Sequence, residues 1–207
     1  MKEIRVLIVE DHFLARIALR SVLSLHSDIQ IAGEACDGEA GLAMYRTLLP
    51  DVVVVDLRLP GIDGFALIER LRSEHPAVHI VALSNYRGSE DVYRAVRAGA
   101  MAYLTKDASG EEVLNAIRSV HRGLRYFPQA ARDGLAERAS FSSLTPRETE
   151  VLHGITRGRS NREIAEELQI AEKTVRIHVS ALLEKMGVRD RTQATIHALQ
   201  RGMVHFD

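Results

Sequence analysis

Three carboxylates, a hydroxyl and an ammonium group each stand at the end of a short apolar run. Glu10 and Asp11 follow Ile4–Val9, Asp56 closes Val52–Asp56, Ser84 closes His79–Ser84, and Lys106 follows a run ending at Thr105. Any one of them alone reads as a solvated loop start. As a set at matching ends of parallel strands they converge on one edge of a sheet, where ligands of open α/β folds bind. Three crowded carboxylates repel unless a cation sits among them, and hard oxygen ligands favour Mg²⁺. A carboxylate beside Mg²⁺ can attack a phosphoryl group in line. The Lys106 ammonium can then pair with one phosphoryl oxygen and the Ser84 hydroxyl can bond another.

A second constellation lies in the stretch Glu172–Met186. Val175, Val179, Leu182 and Met186 recur at helical spacing and form one buried stripe. The opposite side carries Lys173, Arg176, Ile177 and Ser180. A solvated face has no need of Ile177 between two cations and a hydroxyl. Cations suit guanine edges or phosphates, and an aliphatic group suits a thymine methyl, so this face has the side-chain types that read a DNA major groove. A single exposed isoleucine is also common on ordinary surfaces.

These groups need elements to hold them. Apolar runs Ile4–Val9, Ile29–Ala35, Val52–Asp56, His79–Ser84 and Ala100–Thr105 alternate with amphipathic stretches Phe13–Leu25, Gly38–Leu48, Gly64–Glu74, Ser89–Ala98 and Gly110–His121. Five strands each followed by a helix imply a parallel, doubly wound α/β sheet of flavodoxin-like type covered on both faces. Residues 122–141, broken by Gly123, Pro128, Gly134 and Ser140, read as a linker with a short helix over Gln129–Ala139. From Leu144 the pattern is helical. Thr145-Pro146-Arg147-Glu148 and Ser160-Asn161-Arg162-Glu163 are capping boxes. Asp190 starts a last helix, and Gly187 ends the one before it. Four short helices make a small all-α domain. The expected division is 1–121, a linker 122–141, and 142–207.

The charge distribution agrees with two kinds of partner. Residues 1–120 carry 13 Lys+Arg against 17 Asp+Glu, and the remainder 14 against 11. No apolar run approaches the roughly 18–20 residues that span a bilayer. The first residues lack a signal-peptide pattern, so no membrane contact and a cytoplasmic location are expected. Cys36, the only cysteine, excludes an internal disulfide or a thiolate metal site and is expected to be a small packing residue. The histidines show no metal-ligand spacing.

Residues 1–120 resemble a response-regulator receiver domain, most visibly in Asp56-Leu57-Arg58-Leu59-Pro60-Gly61-Ile62-Asp63-Gly64. The resemblance implies that Glu10 and Asp11 are the acidic pair, Asp56 the phosphoacceptor, Ser84 the switch hydroxyl, Tyr103 the aromatic switch and Lys106 the pocket lysine. Mg²⁺ would be held by Glu10, Asp11, Asp56 and the backbone carbonyl of Arg58. The stretch Leu144–Ala198 resembles the LuxR-type DNA-binding domain in LTPRETEVL, SNREIAEEL, EKTVRIHV and DRTQA. The two together resemble a NarL/FixJ-type response regulator, a helix-turn-helix transcription factor.

By that likeness Glu172–Met186 is the recognition helix, with Lys173, Arg176, Ile177 and Ser180 toward bases. Ser160, Asn161, Thr174, His178, Lys185 and Arg191 are further candidates as phosphate contacts. His178 lies beside the buried stripe and suits a partly buried role equally. The helix Asp190–Arg201 would form a homodimer on double-stranded DNA, and a sensor histidine kinase would supply the phosphoryl group. Two positions depart from the family pattern: Asp107 stands where proline often follows the lysine, and Ser84 replaces the commoner threonine.

Other classes fit less well. A phosphohydrolase using Asp56 as nucleophile needs a second acid two residues on, where this chain has Arg58. A regulator independent of phosphate would have no use for the complete pocket. The protein is therefore expected not to be an enzyme, beyond catalysing its own phosphoryl transfer and hydrolysis.

Overall fold

The computed structural model describes residues 3–139 and 144–204. Ser140, expected in the linker, lies outside them. Two compact units emerge, one made of residues 1–87 and 92–133, the other of 134–207 with 88–91.

The first unit is a five-stranded parallel sheet, β1 (Ile4–Val9), β2 (Ile29–Ala35), β3 (Val52–Asp56), β4 (His79–Ser84) and β5 (Ala102–Thr105), in the order β2-β1-β3-β4-β5. Helices α1 (Phe13–Ser24), α2 (Gly38–Leu48), α3 (Gly64–Glu74), α4 (Ser89–Ala98) and α5 (Gly110–His121) alternate with the strands. All five residues of β3 are buried, as a β-branched central strand covered on both faces requires. The fifth strand is two residues shorter at its start than its apolar run. Asp37, Asp63 and Ser109 cap α2, α3 and α5, each accepting a hydrogen bond from a backbone N–H three residues on.

The strand order reverses between β1 and β3, and that switch point opens a crevice at their carboxyl ends. Register sets the heights there. Val9 pairs with Val55, so Glu10 stands level with Asp56, while Asp56 pairs with Leu83 and Ser84 with Thr105. Cys36 does not pack as expected. It is exposed just past the end of β2, with Sγ 3.7 Å from Oδ2 of Asp37.

The stretch read as a linker begins as an extension of the first unit. Tyr126 N–H donates to Met101 O at 3.0 Å and Tyr126 bridges Ala102 in parallel. Ala131, in α6 (Gln129–Ala139), is buried. Backbone bonds to an exposed sheet edge override the glycine and proline signals.

The second unit packs α7 (Pro146–Thr156), α8 (Asn161–Leu168), α9 (Glu172–Met186) and α10 (Arg191–Gln200) around Val151, Leu152, Ile164, Val175, Leu182 and Ala198. Both capping boxes are formed, at Thr145/Glu148 and Ser160/Glu163. Gln169, at φ 53°, ends α8 in the left-handed region without a glycine, and Ile170 N–H bonds back to Ala165 O at 3.0 Å. Ala171 begins α9 without a side-chain cap, as its sequence predicts.

The loop from β3 to α3 is the tightest backbone approach near the crevice. A Cβ on Gly64 would lie 2.1 Å from Asp56 O and 2.6 Å from Leu57 Cα. Gly61, at φ 74°, has open space around it. Gly64→Ala is expected to destabilise the first unit by at least about 2 kcal/mol, whereas Gly61→Ala costs about 1 kcal/mol from its backbone conformation alone. Denaturant unfolding of the two variants measures the difference.

Candidate functional site

The sheet brings together the five residues expected at its edge. Glu10 and Asp56 are buried, Asp11 is exposed, and one carboxylate oxygen from each lies within 4.8 Å of the others. The Lys106 ammonium donates to Glu10 Oε1 at 2.8 Å and to Asp56 Oδ2 at 2.9 Å. His12 N–H donates to Glu10 Oε1 at 3.0 Å, and Arg58 N–H donates to Asp56 Oδ1 at 3.0 Å.

The electrostatics follow from this crowding. Burial pushes the Asp56 carboxyl up to about 6, and the nearby Glu10 charge adds to that. The Arg58 N–H and the Lys106 ammonium oppose the rise. Burial would lower Lys106, but its bonds to Glu10 and Asp56 outweigh this and hold the ammonium above its ordinary range. Lys106 therefore stays charged, while Asp56 is a carboxylate short of positive compensation.

The donor set fits a hard divalent cation. Oε2 of Glu10 is buried with no hydrogen-bond partner among the described residues, a costly condition for a carboxylate oxygen. The Lys106 ammonium bonds two of the three carboxylates, Arg16 reaches Glu10 and Asp11 only at their backbone carbonyls, and the carboxylates offer oxygen ligands alone.

Ser84 and Tyr103 border this pocket on the next two strands. Both are buried. Ser84 Oγ accepts from Tyr86 N–H at 3.1 Å, and the Tyr103 hydroxyl donates to Tyr86 O at 2.7 Å. The guanidinium of Arg58 lies 5.3 Å from the Tyr86 ring centroid, close enough for a cation–π contact between the loops after β3 and β4.

In the second unit, Lys173, Arg176, Ile177 and Ser180 share one exposed face of α9. Ile177 is 61% exposed, an apolar side chain turned to solvent on a helix whose opposite face supplies the core. Arg176 donates to Glu172 Oε1 at 2.6 Å, an exposed pair one helical turn apart. Ser160 Oγ serves the cap of α8, accepting from Glu163 N–H at 3.3 Å. Asn161, Thr174 and His178 are half-buried. Arg191 is exposed and bonds the carbonyl of Arg159.

Lys185 departs from expectation. Its ammonium donates to both carboxylate oxygens of Glu148, at 2.9 and 2.7 Å, instead of standing free for a phosphate. Glu148 is buried, which would raise its carboxyl, yet Lys185 and the bonds at Thr145 hold it below the usual range. The capping box marks Glu148 as a helix-start residue. Nothing local marks its second partner, 37 positions away.

Comparison with known proteins agrees with both halves of this description. Residues 6–118 match the response regulator receiver domain, and residues 142–198 match the bacterial regulatory proteins of the luxR family. The response regulator protein VraR of Staphylococcus aureus is 37% identical over 206 residues, covering 97% of this chain and 99% of VraR. The crystal structure of ChrA, the response regulator of a heme-sensing two-component system, is 35% identical with a TM-score of 0.59, covering 99% of this chain and 100% of ChrA. A structure of two RcsB dimers bound to two parallel DNAs shares the fold at 22% identity and a TM-score of 0.72, covering 96% of this chain and 99% of that one.

The Glu148–Lys185 pair joins the start of α7 to the end of α9, so removing one partner strands a buried charge. Lys185→Met is expected to lower the stability of the helical unit by about 2 kcal/mol. The salt dependence of DNA binding should keep its slope. Thermal unfolding and a salt titration of binding measure the two effects separately.

Proposed function

This chain belongs to the response regulators that join a receiver to a LuxR-type DNA-binding domain, and from that premise we propose that it is a transcription factor switched by phosphorylation of Asp56. The observation that carries this reading is the Lys106 ammonium shared between Glu10 and a buried Asp56 whose carboxyl is short of positive charge. A sensor histidine kinase is the proposed source of the phosphoryl group.

Glu10, Asp11, Asp56 and the Arg58 carbonyl would hold Mg²⁺, which supplies charge neutralisation around the entering phosphoryl group. An Asp56 oxygen forms the new bond to phosphorus as the bond to the donor breaks. The Lys106 ammonium then turns from Asp56 to a phosphoryl oxygen. The Ser84 hydroxyl, held by Tyr86 N–H in the structure, rotates to another. Because the Tyr103 hydroxyl is bonded to Tyr86 O, movement of Ser84 draws on the same loop that anchors the aromatic switch.

The helical unit is the proposed reader of DNA. Lys173, Arg176, Ile177 and Ser180 would enter the major groove, with Ser160, Asn161, Thr174, His178 and Arg191 toward the backbone. Dimerisation through the last helix is supported by Ile196, a large apolar side chain of α10 left 52% exposed, and by the dimers on DNA seen for RcsB. Among the described residues no helix is long and apolar enough to cross a membrane, and a cytoplasmic regulator is the proposed setting.

Asp56→Asn is expected to abolish labelling by a small-molecule phosphodonor in Mg²⁺ while leaving the circular dichroism spectrum unchanged. Full labelling of that variant would move the acceptor elsewhere, and continuous turnover of the donor by the unmodified chain would favour an enzyme. Arg176→Ala is expected to cost about 1–3 kcal/mol at the preferred sequence and far less on unrelated DNA. Equal loss on all sequences would assign Arg176 to phosphates.

A further inference from the structure

The loops after β4 and β5 carry the hydroxyl and the ammonium of the pocket, and three bonds tie them together. Lys106 N–H donates to Ser84 O at 2.8 Å, and the Tyr103 hydroxyl donates to Tyr86 O at 2.7 Å. The third tie is an ion pair in which Arg87 Nη2 donates to Oδ2 of Asp107. Arg87 lies three residues after Ser84, and Asp107 directly follows Lys106.

The Thr105 hydroxyl and the Arg87 guanidinium beside it hold the Asp107 carboxyl below its ordinary range. Asp107 thus links the Lys106 loop outward to its neighbour. The pair borders an open pocket of about 220 Å³ lined also by Val92, Tyr103, Thr105 and Pro128. Both side chains are largely exposed, so the polar ties, and not dense packing, set the spacing of the two loops here.

We propose that Arg87 and Asp107 are a positioning pair for phosphoryl transfer: they hold the Lys106 loop against the Ser84 loop, so that the backbones carrying the ammonium and the hydroxyl are in place before the phosphoryl group arrives. The proposal rests on Asp56 being the phosphoacceptor. Neither side chain touches the reacting atoms, and both act through Lys106 and Ser84. With the two loops held at a fixed spacing, reorganisation as charge develops is limited to rotation of the two side chains, which lowers the barrier. Exposed pairs add little to global stability, so the effect belongs in the rate and not in the melting temperature.

The test uses the full chain with acetyl phosphate and saturating Mg²⁺, comparing initial labelling rates of Arg87→Ala, Asp107→Ala and the exchanged pair Arg87→Asp with Asp107→Arg. Each single variant is expected to label about two- to fivefold more slowly, with an unchanged thermal midpoint. The exchanged pair should return to within about twofold of the unmodified chain. In about 1 M KCl, where the screening length is about 3 Å, the unmodified rate should approach that of the single variants. Single variants as fast as the unmodified chain, or an exchanged pair as slow as the singles, would overturn the positioning role alone. A fall in thermal midpoint that accounts for the lost rate would make the pair structural and overturn it too. Failure of the unmodified chain to label at all would instead remove the phosphoacceptor reading on which the proposal rests.

Discussion

The organising constraint of the first unit is one ammonium group set among three carboxylates at a place where the sheet cannot close over them. The strand order reverses between β1 and β3, so the connections on either side diverge and leave a crevice at their carboxyl ends. Lys106 reaches this crevice from the far side of β4 and bonds Glu10 and Asp56 together. The Lys106 ammonium bonds only two of the three acids, and among the described residues no group hydrogen-bonds the buried Oε2 of Glu10. The arrangement therefore favours any added positive charge and resists added negative charge until such charge is supplied. That is the electrostatic requirement of a metal-assisted phosphoacceptor.

The rest of the unit makes this imbalance tolerable. A fully buried β3 fixes the height of Asp56, and the close approach of Gly64 to the Asp56 carbonyl fixes the loop behind it. The loops after β4 and β5 are bound by a few polar ties beside an open pocket. Rigid strands and polar-tied loops divide the work: the first hold Asp56 still, and the second carry Ser84 and Lys106 on less densely packed backbone.

The helical unit solves a different problem, presenting a polar helix face without losing its fold. Its core is small, and α9 begins without a side-chain cap. Glu148 compensates by serving the start of α7 and the end of α9 at once. With the far end of α9 anchored there, Lys173, Arg176, Ile177 and Ser180 remain at the surface.

Much of this was legible in the residues themselves. The alternation of apolar runs and amphipathic stretches determined the α/β class, because strand and helix periodicities are local properties. The capping boxes located the starts of α7 and α8 for the same reason, and the stripe on α9 identified its outer face. Charged groups at strand ends could be named because parallel strands all present the same end to the crevice. What needed the tertiary structure was the choice of partner. The start of α8 followed from its capping box, but its left-handed end at Gln169 did not, since no glycine marks it. Cys36 turned outward because β2 ends one residue before it. Tyr126, within the stretch read as a linker, pairs with the edge of β5. Lys185 met Glu148, and Arg87 met Asp107, across distances in sequence that no periodicity encodes. Local chemistry determines which groups a chain can offer, whereas long-range packing decides which of them are left free to act.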